Sequence, residues 1–252
     1  MMLDQHGFAH AVDTSAPMPI LKIGIANTAT QLVKENPYLR DVVPKTIDSG
    51  DQLRLALQSP TEVRYSDGDI QLNFCAKSIN ADGNYTTSDR VAFIGGQLCD
   101  APANSYENAF QQARDLMQRL ESGNPGVQDL RRFYLTASRE QLIGIGGDMW
   151  SDVEEKRGMA DSYEKLLPVE EEERRFKEAV DNPRLDAEGR PVNMRAMLGV
   201  YAGKWVVIEL GVSSQAYYGG QNLSPEQRMA RRYSVALNLR LRSDIDPASV
   251  GR

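Results

Sequence analysis

Ile70, Leu72 and Phe74 alternate with Gln71, Asn73 and Cys75, the period of two expected of a strand with one buried face. The chain then passes through Asn80-Ala81-Asp82-Gly83-Asn84, residues that tolerate turns and left-handed backbone. A second apolar run, Val91-Ala92-Phe93-Ile94, ends at Gly95-Gly96. Folding the arms back about Thr87 sets Cys75 roughly opposite Cys99. The pattern predicts a long-looped hairpin near the centre of a sheet, with Cys75 and Cys99 as a candidate disulfide. A slip of one residue in register would point the two thiols to opposite faces.

The same reading predicts the other elements. Ile20, Ile23 and Ile25 mark a short strand, and Thr28 to Glu35 a brief helix closed by Asn36-Pro37, because a residue before proline is pushed out of helical geometry. Leu53, Ala56 and Leu57 predict a short helix from about Asp51 to Gln58. Glu62 to Tyr65 predicts a strand joined to the hairpin through Asp67-Gly68, a common turn pair. The widest helical stripe is Tyr106, Phe110, Ala113, Met117 and Leu120, extended by Ala109 and Leu116. It predicts a long helix over 105–121, capped by Asn104 and packed across the sheet.

Further on, Pro168 to Val180 predicts an outer helix in which Glu170, Glu171 and Glu173 precede Arg174, Arg175 and Lys177. Met197–Tyr201 and Trp205–Val212 predict a hairpin around Gly203. Ser224-Pro225 opens a short helix. The last strand sets Val235, Leu237, Leu239 and Leu241 against Ala236, Asn238, Arg240 and Arg242. The fold class expected is α+β: a mainly antiparallel sheet of about five to seven strands, one long amphipathic helix on a face, and peripheral charged helices. Residues 1–18 are expected as a flexible arm and 19–252 as one domain, with a charged helical insertion at about 151–195.

Composition changes this picture little. With 252 residues, 41% hydrophobic and 25% charged, the chain is long enough for a sizeable core and of ordinary globular character. A net charge of −6 argues against a nucleic-acid partner, which requires a basic surface. No run approaches the roughly 18 apolar residues of a membrane-spanning helix. Two cysteines exclude a disulfide-dense scaffold and a four-cysteine zinc site. Ala9-His10-Ala11 looks like the end of an export signal without the apolar stretch that should precede it. A bridge between Cys75 and Cys99 points to an extracytoplasmic place, a bacterial periplasm or envelope, the alternative being a cytoplasmic or virion protein.

Candidate chemistry is sparse. Both histidines, His6 and His10, lie in the arm, so a serine or cysteine nucleophile has no histidine base in the expected core. Asn80, Asp82, Asn84, Thr86 and Ser88 offer oxygens at alternate positions, but Val91 stands where a calcium loop needs its bidentate glutamate. Gly144-Ile145-Gly146-Gly147 reads as a helix end, since no strand precedes it and no Lys-Ser/Thr pair follows. Tyr217, Tyr218, Gly219 and Gly220 form an aromatic loop on flexible glycines, a composition suited to binding. Asp148 and Trp150 could serve in the same way.

The expectation is therefore a non-catalytic protein that binds another protein, of a bacterial envelope, inhibitor/immunity or phage-assembly type. No cofactor, metal ligand or catalytic residue is singled out. The alternatives are a histidine-free hydrolase working with two carboxylates, and a small-ligand or metal binder.

Overall fold

The computed structural model describes residues 2–3, 9–10, 18–41, 43, 53–83, 89–100, 105–129, 167–216, 224–242, 245 and 247–250. The strands are β1 (Met2–Leu3), β2 (Ala9–His10), β3 (Ile20–Ile23), β4 (Arg54–Leu57), β5 (Thr61–Ser66), β6 (Gln71–Asp82), β7 (Phe93–Leu98), β8 (Gln128–Asp129), β9 (Met194–Ala202), β10 (Val206–Ala216) and β11 (Arg231–Leu241). The helices are α1 (Ala29–Glu35), α2 (Tyr106–Gly123), α3 (Val169–Asp181) and α4 (Pro225–Met229). The strands form one sheet along the path β1-β2-β4-β6-β7-β11-β10-β9-β8, with β5 also on β6 and β3 on β5. Pairing is antiparallel except β2 with β4 and β3 with β5. The fold is thus a mixture of helices and a mostly antiparallel sheet, with more strands than the apolar runs predicted.

One face of this sheet is continuously apolar. Leu21 and Ile23 pass across to Val63 and Tyr65, then to Phe74 and Leu72, each side by side in register. Beyond β7, Leu239 and Leu237 lead on to Ile208 and Leu210. α2 lies on this face through Ala109, Phe110, Ala113, Leu116 and Leu120, all buried. Ser105 caps α2, its hydroxyl accepting the Asn108 N–H at 3.3 Å. The cap therefore falls one residue later than Asn104, which lies outside the described residues.

β6 holds its core side through a change of parity. Leu72, Phe74 and Ala76 are buried before Lys77, and Ile79 and Ala81 after it. A bulge between Ala76 and Ser78 in the pairing with β7 absorbs the odd spacing, so that both halves turn their apolar side chains into the same core. Asn80, Ala81 and Asp82 belong to this strand and not to the turn their types suggest. The predicted helix at 51–58 is likewise a strand over Arg54–Leu57. Leu53, Leu55 and Leu57 are all buried, at a spacing of two, and β6 offers β4 the backbone partners that settle the choice.

Cys75 and Cys99 are bonded to each other, with Cα atoms 5.4 Å apart. The bridge stands where β7 leaves β6, beside the Cys99 N–H donated to the Cys75 carbonyl at 2.9 Å. Thiol labelling of denatured, unreduced protein should find neither cysteine. Reduction should cost about 3 kcal/mol by the chain-entropy estimate for a loop of this size. Two labelled thiols would refute the bridge.

Past that point the β7-side edge of β6 carries no strand among the described residues, and α2 covers it. Asn124, buried at the α2 C-terminus, accepts the Gln71 N–H at 2.8 Å and donates to the Gln71 carbonyl at 3.2 Å. Arg119 donates to the Asn73 carbonyl. Asn36, at the C-terminus of α1, does the same for Lys22 of β3, at 2.8 and 2.7 Å. Each asparagine also donates to the carbonyl four residues back, Leu120 or Leu32, and each precedes proline. The side-chain amide stands in for a missing strand residue. Asn124→Ala should cost about 1–3 kcal/mol in chemical denaturation, the range for leaving buried polar groups without partners. A neutral result would mean that water replaces the amide at no cost.

Candidate functional site

α2 and α3 run in opposite directions and enclose a groove of about 490 Å³. Phe110 meets Phe176 edge to face, 5.3 Å between ring centroids, and Tyr106 meets both Phe110 and Tyr233. These edge contacts are the arrangement that aromatic quadrupoles favour. They give the groove an aromatic floor anchored in the core, since Phe110 and Phe176 are buried. Its rim is charged: Glu107 and Arg114 from α2; Glu170, Glu173, Arg174 and Lys177 from α3. Arg114 pairs with Glu173 across the helices. Arg174 pairs along α3 with Glu171 and Glu178. Among the described residues, Glu170 and Lys177 enter no ion pair, and they stand two helical turns apart.

Hydrogen bonds and neighbouring charges hold Tyr106, Glu107 and Glu171 in their usual charge states. A hydrogen bond from the Tyr106 hydroxyl to Glu107, together with burial, pushes Tyr106 up to about 12. The same bond holds Glu107 below the usual carboxylate range. Arg174 and Arg175 hold Glu171 down at about 2. A general acid needs the reverse, a carboxyl kept protonated near neutral pH.

A second concavity lies at the end of the sheet. Asp67 shapes the β5–β6 turn: Oδ1 accepts the N–H groups of Asp69 and Ile70, and Oδ2 accepts the Tyr65 hydroxyl at 2.6 Å. Gly68 sits at φ +87°, backbone that glycine adopts without strain. Asp69 thereby faces the β9–β10 turn, where its Oδ2 accepts the Lys204 N–H at 2.7 Å. The recess is about 260 Å³, lined by Asp69, Gly126, Gln128, Gly203, Lys204 and Arg242.

Glu209 is the least expected side chain. It is 4% exposed in the middle of β10, on the face away from α2. Asn238 donates to it at 3.4 Å and Arg240 lies 3.6 Å away, the partnering a buried carboxylate requires. Its only sequence signal was one acid between Ile208 and Leu210 in an apolar strand.

The aromatic loop Tyr217, Tyr218, Gly219 and Gly220 lies outside the described residues, as do Asp148, Trp150 and the Gly144–Gly147 run. β10 ends at Ala216, immediately before that loop. Of the calcium-like oxygens, Asn80 and Asp82 lie in β6, and Asn84, Thr86 and Ser88 are outside the description. Among the described residues no group of three or more His, Cys, Asp or Glu is placed to hold a metal. No described helix is long and apolar enough to cross a membrane. Sequence reasoning missed the groove because it assigned Tyr106 and Phe110 to the core and the charges of α3 to solvent. Comparison with protein-family models, with curated proteins and with solved structures finds no match to this chain.

Proposed function

We propose that this chain is a non-catalytic protein that binds a segment of another protein in the groove between α2 and α3. The observation that carries the reading is an aromatic floor whose rim, among the described residues, leaves Lys177 and Glu170 outside the ion pairs that join Arg114 to Glu173 and Arg174 to Glu171. A partner segment with an apolar residue over Tyr106, an acid near Lys177 and a base near Glu170 matches that rim. Interfaces draw most of their energy from such buried aromatic anchors, and take register from the charges around them. The setting we propose is extracytoplasmic, in a bacterial envelope, inhibitor/immunity or phage-assembly role. The Cys75–Cys99 bridge supports the extracytoplasmic part.

The test is capture from the source cell by the immobilised chain and by its K177E/E170K variant, both exposed positions on a helix surface. A stoichiometric partner held by the parent, lost by the charge-reversed groove and retained by a reversal at Arg64 supports the proposal. Failure to recover any stoichiometric partner, or equal retention by the groove variant, overturns it.

A further inference from the structure

Three sulfur atoms meet beside β6. Cys75 faces outward between the buried Phe74 and Ala76, and its bridge to Cys99 stands where β7 ends. Met18 brings the third sulfur, its Sδ 3.8 Å from Cys75 Sγ. Cys75 Sγ carries no hydrogen in the bridge, so this is a contact between two sulfurs. Met18 is 48% exposed, and burial does not account for its position. The backbone does. Glu62 pairs with Cys75 across β5 and β6, and its N–H donates to the Pro19 carbonyl at 2.9 Å. The start of β3 is thereby pinned on the other side of β5, with Met18 reaching across to the bridge.

The surroundings leave sulfur as the donor set. Glu62 is ion-paired with Arg64 at 2.7 Å, and Asp100, next to Cys99, with Lys77 at 2.8 Å. The backbone at the bridge has ties that survive its opening. The Cys99 N–H donates to the Cys75 carbonyl at 2.9 Å, and Gln112 of α2 donates to the Cys99 carbonyl at 2.8 Å. Three sulfurs in a plane around one ion, each about 2.3 Å from it, stand about 4.0 Å apart. The separation of Met18 from Cys75 already lies close to that value. The two cysteine Cα atoms are 5.4 Å apart, which sets the Cβ atoms about 3.5–4.5 Å apart. Freed thiolates reach the same spacing by side-chain rotation alone.

We propose that the reduced Cys75–Cys99 pair and Met18 form a three-coordinate, all-sulfur site for copper(I). Thiolate and thioether ligands select this soft ion, whereas structural zinc takes four ligands drawn from imidazole, thiolate and carboxylate. The bridge is the closed form of the site. A dithiol opens it by thiol–disulfide exchange. The Sγ–Sγ bond breaks, and the dithiol supplies two electrons and two protons as it closes to a disulfide of its own. Copper(I) then displaces the two thiol protons and keeps its oxidation state.

The test is a titration of the full chain, reduced with dithiothreitol and desalted without oxygen, with copper(I) in competition with the chromophoric chelator bicinchoninate. The reduced chain should withdraw one copper(I) per chain, and the unreduced chain none. M18L should hold copper(I) at least about tenfold more weakly, since even groups outside the ligand shell are worth about 10–100-fold in metal affinity. M229L, at a methionine of similar exposure on α4, should change nothing. X-ray absorption of the copper-loaded chain should show three sulfurs at about 2.3 Å. Failure of the reduced chain to withdraw copper, or equal affinity in M18L and the parent, overturns the proposal. A chain that held copper through its thiols alone would give the second result.

Discussion

Phe110→Ala is expected to lower the unfolding free energy by about 3–5 kcal/mol, the range for removing a buried phenylalanine ring. The ring is 3% exposed. It sits where three elements meet: α2 carries it, Phe176 of α3 packs on it edge to face, and the apolar face of the sheet lies beneath. Truncation loses the transfer energy of the ring and also leaves a cavity between layers joined elsewhere by backbone, so collapse around it is restricted. Chemical denaturation monitored by far-UV circular dichroism gives the number. A loss under about 1 kcal/mol, the level of ordinary surface changes, would mean that α2 presents a different face to the sheet.

Deleting residues 233–252 should abolish cooperative folding. β11 is the one strand between β7 and β10, so its removal separates the β6–β7 half of the sheet from the β9–β10 half. It also takes away Val235, Leu237 and Leu239, each 1% exposed or less. At about 1.5–3 kcal/mol per large buried apolar side chain, those three alone approach the roughly 5–15 kcal/mol that holds a whole domain together. The truncated chain should show a broad, shallow thermal profile. A sharp transition near the parent temperature would show that the two halves join without β11.

What the sequence made legible follows from range. Elements whose evidence is local were readable: Thr28 and Ser224 cap α1 and α4 with full capping boxes. Val235, Leu237 and Leu239 of β11 are buried as the alternation predicts, as are Ala109, Phe110, Ala113, Leu116 and Leu120 of the α2 stripe, whereas Leu241, Tyr106 and Met117 are only half-buried. Where two periods competed, the sheet decided. Leu53, Ala56 and Leu57 suit a helix, yet Leu53, Leu55 and Leu57 are the residues buried, because the edge of β6 was open to β4. Nothing local announces the bulge at Lys77, which depends on the partner strand. The concavities were invisible for the same reason. The groove needs α2 beside α3, and the recess needs Asp69 within reach of Lys204, 135 positions later. In the sequence, Asn124-Pro125 marks only the end of a helix. Its amide acts on a residue 53 positions earlier.

That amide and its counterpart at Asn36 also bear on self-association. An open strand edge recruits other chains because each peptide added presents a fresh row of donors and acceptors to the next. A carboxamide satisfies one residue of the edge and then ends at its own Cβ, with nothing further to offer along the growth direction. At Lys22 and Gln71 the side chain thus fills the docking position as a chain terminator would, leaving no strand behind it to extend. Removing either asparagine should therefore do more than loosen the monomer. It should expose a seeding point, and the variants should form thioflavin-binding aggregates under conditions where the parent chain stays dispersed.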